Sequence, residues 1–174
     1  SAPSTTQSLP ALLQGTRVAI ARDLAFSFCY RANIDVLKSL GAEIIYTSPI
    51  NDNCLPACDS LYLPGGYPEL HLSALANNHS YKQSVAAHIT AGKPCLAECG
   101  GMLYLLESLT DQQGNSEQLV GALPGQSVMQ NKLANLGLAE VALPEGTIRG
   151  HSYHHSTSDI AAEPIAYTQG RRGK

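Results

Sequence analysis

Residues 94–105 read Pro-Cys-Leu-Ala-Glu-Cys-Gly-Gly-Met-Leu-Tyr-Leu. The apolar run 94–97 predicts a buried strand, the double glycine that starts at Gly100 predicts a tight turn, and 100–106 is typical of a helix. A strand that passes into a helix through such a turn is the layout of a nucleophile elbow, here with the thiol of Cys99 in place of a serine hydroxyl. The helix N-terminus would favour the thiolate. The stretch therefore predicts a nucleophilic cysteine.

The ordinary alternative is that a free cysteine is a small buried hydrophobic residue. This is our interpretation of Cys95, which lies inside the predicted strand. The double glycine argues against it for Cys99, because a core strand gains nothing from two glycines at that point.

Strands and helices alternate around this stretch. Apolar, β-branched runs predict further strands at 17–21, 43–46 and 60–63. Helical spacing predicts the intervening helices, at 30–40, 69–76 and 81–91. This alternation predicts an α/β fold with a mostly parallel sheet flanked by helices on both faces, a flavodoxin-like three-layer arrangement. Beyond Gln118 the pattern changes to strand and turn, and we expect antiparallel strands to be added at one edge of the sheet.

Composition excludes several classes of protein. The 174 residues carry a net charge of −3, the basic residues do not cluster outside the tail, and no apolar run is long enough for a bilayer. We therefore expect no nucleic-acid partner and no membrane segment, but a soluble cytoplasmic protein. The odd count of five cysteines favours reduced thiols. The polar residues 1–16 predict a linker or added leader, followed by one domain over 17–174.

A second glycine pair, Gly65 and Gly66, follows the strand at 60–63. Paired glycines after a strand are often no more than a turn. In a doubly wound sheet, however, ligands sit at the carboxyl ends of the strands, and this strand end can lie beside the elbow. A glycine N–H there, together with the N–H of Gly100, would form an oxyanion hole for a tetrahedral intermediate.

A thiolate that transfers acyl groups also needs an acid–base partner. We expect His79 and His88, in predicted helices, to be surface residues, whereas His71 follows the glycine turn and is a candidate for the pocket wall. Segment 149–156 reads Arg-Gly-His-Ser-Tyr-His-His-Ser, and its His154 is a candidate base. A polar strand end with hydrogen-bonded histidines explains this segment equally well.

With these motifs in order, the chain resembles the glutamine amidotransferase domain of cobyrinate a,c-diamide synthases. The resemblance runs from about Arg17 to the last residue and depends on the segments 19–30, 63–71, 97–102 and 150–156. It implies a fold like that of class I glutamine amidotransferases. It also implies that Cys99 attacks the side-chain amide of glutamine, forms a glutamyl thioester and releases ammonia.

The resemblance assigns roles to further residues. Gly66 and Gly100 would supply the oxyanion-hole donors. Candidate substrate-binding residues are Gly65, Tyr67, Glu98 and His71. We expect no metal and no cofactor in this domain. The histidine that activates the cysteine in this family would lie beyond Lys174, with a last strand, so the chain would be C-terminally truncated. His154 matches the earlier motif, and we expect the chain alone to turn over poorly.

In the family, ammonia passes to an N-terminal synthetase domain. That domain binds ATP and Mg²⁺ and amidates two carboxylates of a corrin ring, cobyrinate or hydrogenobyrinate, in cobalamin biosynthesis; the parent enzyme would be a homodimer. The sequence contains no phosphate-binding loop of the G-x-x-x-x-G-K-[ST] type, so this synthetase half is not part of the chain.

Two other functions remain open at this point. The first is a glutaminase that serves another acceptor, such as cobyric acid or a cell-wall lipid intermediate. The second is a non-enzymatic relative in which Cys99 is an oxidisable sensor. A serine hydrolase is excluded because there is no G-x-S-x-G elbow.

Overall fold

The structure is a computed structural model that describes residues 10–144 and 146–170. The chain divides into two compact units, Ser1–Met102 and Leu103–Lys174. The boundary falls within a short helix, and each unit is described separately.

The first unit contains a parallel four-stranded sheet with the order β2-β1-β3-β4. Its strands are β1 (Arg17–Ala21), β2 (Glu43–Thr47), β3 (Ser60–Leu63) and β4 (Cys95–Ala97). Its helices are α1 (Arg31–Ser39), a 3-10 helix (Pro68–His71), α2 (Leu72–Asn77), α3 (His79–Thr90) and α4 (Gly100–Leu105), the last running to the second unit. The predicted strands and helices of this half are confirmed, with a 3-10 turn at the start of the helix predicted at 69–76.

The apolar runs form strands because the sheet buries them. In the central strand β1, Ala19 pairs with Ile45 on one side and Leu61 on the other, and all three of its last residues are fully buried. Val18, Ile20 and Tyr62 form a core cluster with Ile34 of α1. A strand buried on both faces is expected to be continuously apolar rather than alternating, as β1 is.

Residues 1–9 of the predicted linker lie outside the described residues. Within its last part, Leu13 packs against the core cluster. The backbone N–H of Leu13 donates to the carbonyl of Leu40 at 2.8 Å. The division into a leader over 1–16 and a domain over 17–174 remains a prediction.

The prediction that His88 is a surface residue was wrong, whereas His79 is exposed as expected. The side chain of His88 is 7% exposed. Its Nδ1 lies 3.8 Å from the sulfur of Cys58 and its Nε2 lies 3.1 Å from the carbonyl oxygen of Pro94. These partners are 30 and 6 residues away in the chain, and they supply the hydrogen bonds that a buried imidazole needs.

The second unit consists of strands that form two sheets of their own. One has the order β10-β7-β5-β6 and the other β11-β8-β9. The strands are β5 (Leu106–Thr110), β6 (Ser116–Gln118), β7 (Leu123–Met129), β8 (Asn135–Leu143), β9 (Gly146–His154), β10 (Ser156–Ile160) and β11 (Thr168–Gly170). Antiparallel pairing dominates, as predicted, with β5 and β7 parallel. The expected edge position was wrong, because neither sheet contains a strand of the first one.

Among the described residues, no helix has both the length and the apolar character required to cross a membrane.

Candidate active site

Cys99 lies in the predicted elbow and has a left-handed backbone. Its φ is +48°, and no other non-glycine residue in the described chain has a positive φ. Glu98 alone separates it from the end of β4, α4 begins at the next residue, and Cys99 is exposed. A left-handed backbone is unfavourable for any residue with a Cβ, and such strain concentrates at functional sites. The strand-to-helix turn therefore presents the thiol to solvent at an energetic cost to the fold.

The glycines around this turn are required by backbone contact. A Cβ on Gly101 would lie 2.1 Å from the carbonyl oxygen of Leu63, so β3 leaves no space for a methyl group. A Cβ on Gly100 would lie 2.9 Å from the oxygen and 3.0 Å from the nitrogen of Gly66. The two glycines predicted as oxyanion-hole donors thus have adjoining backbones. Their role as donors remains a prediction.

The loop after β1 forms another side of the site. The N–H of Phe28 donates to the carbonyl of Gly65 at 3.0 Å, and a Cβ on Gly65 would lie 3.4 Å from the Cβ atoms of both Cys99 and Phe28. The rings of Phe28 and Tyr67 meet edge to face, with centroids 4.9 Å apart. Two half-exposed aromatic rings therefore lie beside the glycine turn that contacts Cys99. The substrate-binding role of Gly65 and Tyr67 stays a prediction.

Asp23 holds this loop in place. One carboxylate oxygen accepts hydrogen bonds from the N–H groups of Ala25 and Phe26, at 2.8 and 3.2 Å. The other accepts from the hydroxyl of Ser48 and the N–H of Ile50, at 2.9 and 3.0 Å. Asp23 thus ties the segment that leads to Phe28 to the end of β2. No pattern in the sequence marks Asp23 for this role, although an Asp just beyond the end of a strand is a frequent loop-forming residue.

Glu98 also has a partner that the sequence did not predict. The hydroxyl of Tyr62, in β3, donates to a carboxylate oxygen of Glu98 at 2.9 Å. Burial, together with the negative charge of Glu98, raises the pKa of Tyr62 to about 12. The phenol therefore keeps its proton at neutral pH and fixes the orientation of this carboxylate next to Cys99.

The two histidines named from the sequence lie in different units. His71 ends the 3-10 helix that follows the glycine turn, and it is half-buried. His154 ends β9 in the second unit, where its Nδ1 lies 2.9 Å from the carbonyl oxygen of Ser156. That hydrogen bond requires the proton on Nδ1 and leaves Nε2 as the basic nitrogen. The roles of both histidines stay predictions.

The remaining cysteines differ from Cys99 in their surroundings. All five thiols are free; Cys54 and Cys99 are exposed, whereas the others are partly or fully buried. Burial raises the pKa of Cys29, Cys58 and Cys95, the last to about 11. A raised pKa lowers the fraction of reactive thiolate at neutral pH. Burial and a raised pKa thus disfavour reaction at Cys29, Cys58 and Cys95, whereas Cys99 is exposed.

A thiol on an elbow at the edge of a parallel sheet, next to a glycine turn, is the arrangement of a glutamine amidotransferase of class I type. Solved structures agree on the fold. The chain is similar to a structure of PurLQS from Thermotoga maritima, with a TM-score of 0.60, 16% identity, and coverage of 91% of this chain and 76% of that one. It is similar to a crystal structure of a glutamine amidotransferase with a TM-score of 0.57 and 16% identity, covering 85% and 75%.

Residues 17–174 match the family described as the CobB/CobQ-like glutamine amidotransferase domain, and the chain belongs to this family. It is 56% identical over 154 residues to the hydrogenobyrinate a,c-diamide synthase of Pseudomonas aeruginosa, covering 88% of this chain and 35% of that one. The enzyme of the same name from Stutzerimonas stutzeri is 53% identical over 165 residues, with 95% and 38% covered. The cobyrinate a,c-diamide synthase of Herminiimonas arsenicoxydans is 45% identical over 161 residues, with 92% and 37% covered. The chain spans little more than a third of the length of these relatives.

Proposed function

We propose that this chain is the glutamine-hydrolysing part of an ATP-dependent a,c-diamide synthase of corrinoid synthesis. The observation that carries the proposal is the exposed Cys99 thiol on a left-handed backbone between β4 and a helix that glycines open. Identities above 50% to two hydrogenobyrinate a,c-diamide synthases support the choice of acceptor.

In the proposed reaction, the thiolate of Cys99 attacks the side-chain amide carbon of glutamine, and the carbonyl π electrons move to its oxygen. The N–H groups of Gly66 and Gly100 donate hydrogen bonds to this oxyanion. Collapse of the intermediate breaks the C–N bond, and a proton from a general acid allows nitrogen to leave as ammonia. Water then attacks the thioester, which gives glutamate and frees the thiol.

The chain's other residues would bind and orient glutamine. Phe28 and Tyr67 offer a half-exposed aromatic wall beside Cys99, and Glu98 offers a carboxylate held by Tyr62. A carboxylate near the thiol suits the amino group of glutamine, which is cationic at neutral pH. Ammonia would pass to a synthetase part that binds ATP and Mg²⁺ and activates two corrin carboxylates; this partner and a homodimeric parent enzyme are part of the proposal.

The first experiment is to treat the chain with a chloromethyl ketone analogue of glutamine and to map the modified thiol by mass spectrometry. We expect selective labelling of Cys99, protection by glutamine but not by glutamate, and loss of labelling in Cys99→Ser. Slow labelling over all five cysteines without glutamine protection would reject a glutaminase site. Reaction of Cys99 with peroxide but not with the analogue would favour the redox-sensing alternative.

The acceptor needs a separate experiment with the full-length protein. Incubation with glutamine, ATP, Mg²⁺ and either hydrogenobyrinate or cobyrinate should give a diamide that mass spectrometry detects. Amidation of cobyric acid alone, or no amidation of hydrogenobyrinate or cobyrinate, would contradict the proposed acceptor. Neither outcome would affect the glutaminase assignment.

A further inference from the structure

A cavity in the first unit is lined in part by the loop that carries Phe28. It has a volume of about 360 Å³, and its lining includes three cations, one carboxylate, Tyr46 and Cys29. None of the residues assigned to the glutaminase site lines this cavity. Its buried floor is Ile34 of α1, and its wall is mainly polar.

The charge of this cavity is opposite to that of the chain. Three cations, Arg22, Arg31 and Lys38, face a single lining carboxylate, Asp35, in a protein of net charge −3. Asp35 pairs with Arg31 at 3.7 Å, but both side chains are largely exposed and this pair is weak. Two further positive charges remain without a lining carboxylate. Glu98 also acts on the cavity, since its charge is felt at Cys29.

Arg22 is positioned rather than free. Its backbone N–H donates to the carbonyl of Thr47 at 2.8 Å, which fixes it at the carboxyl end of β1. Its guanidinium carbon lies 5.1 Å from the centre of the Tyr46 ring. Stacking on a ring orders the planar guanidinium while it leaves the N–H groups available for an oxyanion.

The start of α1 adds to the positive potential. No side chain caps its N-terminus at Tyr30, and no acidic residue lies in its first turn. Arg31 is the first residue of this nine-residue helix and lines the cavity. The positive end of the helix dipole therefore reinforces the charge of Arg31, whereas Lys38 lies in the last turn, at the other end of the helix.

We propose that this cavity binds a small oxyanion with carboxylate or phosphate groups, held by Arg22 and Lys38 with support from Arg31. Guanidinium groups match both kinds of anion, and the volume admits a short dicarboxylate or inorganic phosphate. The site is separate from the glutamine site but shares a segment with it, because Phe28 contacts the Gly65 turn and Cys29, the next residue, lines the cavity.

Cys29 provides a built-in reporter. Iodoacetate and iodoacetamide alkylate thiols in the same way, but only iodoacetate carries a carboxylate. We expect the ratio of the iodoacetate rate to the iodoacetamide rate to be about fivefold higher at Cys29 than at the exposed Cys54, which does not line the cavity. Comparing the two thiols within one molecule removes the intrinsic difference between the reagents.

Variants and competitors complete the test. Arg22→Gln with Lys38→Gln should reduce the ratio at Cys29 to that at Cys54. Arg17→Gln, which removes a half-exposed cation outside the cavity, should leave the ratio unchanged. Succinate or inorganic phosphate should protect Cys29 saturably in the unaltered chain, and the more effective of the two identifies the preferred anion. Equal ratios at both thiols, or no saturable protection by either anion, would overturn the proposal, whatever the outcome at Cys99.

Discussion

Gly100 and Gly66 lie so close that a Cβ on Gly100 would be 2.9 Å from the carbonyl oxygen and 3.0 Å from the nitrogen of Gly66. Gly100→Ala must therefore push the glycine turn away from the elbow. We expect labelling of Cys99 by the glutamine analogue to slow about tenfold or more, since misplaced donors stabilise the oxyanion poorly. Gly137→Ala is the matched control, because a Cβ there meets no atom within 4 Å. Equal rates in the two variants would show that the contact does not matter for the thiol.

The left-handed backbone of Cys99 predicts that glycine at this position gives a more stable fold than alanine does. Cys99→Gly should raise the free energy of unfolding relative to Cys99→Ala by about 1 kcal/mol, because glycine adopts a positive φ without steric cost. Urea unfolding of the two variants measures the difference. Cys54 provides the control pair, since it is exposed and has no positive φ. At position 54 the glycine variant should be no more stable than the alanine variant. If the glycine variant is also no more stable at position 99, the backbone of Cys99 is not strained.

Asp23 is predicted to act on the thiol site through the loop that it holds. Asp23→Ala removes the acceptor for four hydrogen bonds and should slow labelling of Cys99 about tenfold, because Phe28 loses its fixed position. Asp111→Ala is a suitable comparison. Asp111 also accepts bonds from the backbone of its own turn, but in the other unit. If Cys99 reacts at the unaltered rate in both variants, Asp23 contributes to the stability of the loop but not to the reactivity of Cys99, and the prediction is wrong.

Tyr62 predicts a dependence of stability on alkaline pH. Its pKa is raised from 10.0 to about 12, so between these values the folded chain keeps a proton that the unfolded chain loses. Stability must fall as pH rises through this window. At pH 8 we expect Tyr62→Phe to be less stable than the unaltered chain by about 1 kcal/mol, because the bond to Glu98 is lost. The gap should narrow at about pH 11.

Unfolding free energies at the two pH values give this gap directly. Burial also raises the pKa of Tyr81, but this residue is common to both chains, so its contribution cancels. A constant gap from pH 8 to about pH 11 would contradict the assigned shift.

The first sheet and the elbow were predictable because each depends on a local pattern. The apolar runs of β1 and β3 are long enough to define buried strands, and the double glycine after Cys99 defines the turn. What the sequence did not disclose depends on distant partners. The burial of His88 requires Cys58 and Pro94, and the role of Asp23 requires Ser48. No short pattern encodes such pairs.

The strands of the second unit illustrate the same limit. Their existence after Gln118 followed from turn residues and from the lack of helical spacing. Their grouping into two separate sheets depends on pairings such as Ser156 with Met129, which are 27 positions apart. Period-2 patterns identify a strand but carry little information about its neighbour.

The close contacts of Gly66, Gly100 and Gly101 imply that natural selection keeps these glycines for a different reason from the one that keeps Cys99. A methyl group at any of the three would displace main chain, so natural selection for folding alone is enough to keep them. Selection for folding works against Cys99, because its backbone is strained. In descendants that lose the reaction, the glycines should persist while the cysteine drifts, so this one position records whether the chemistry is still in use.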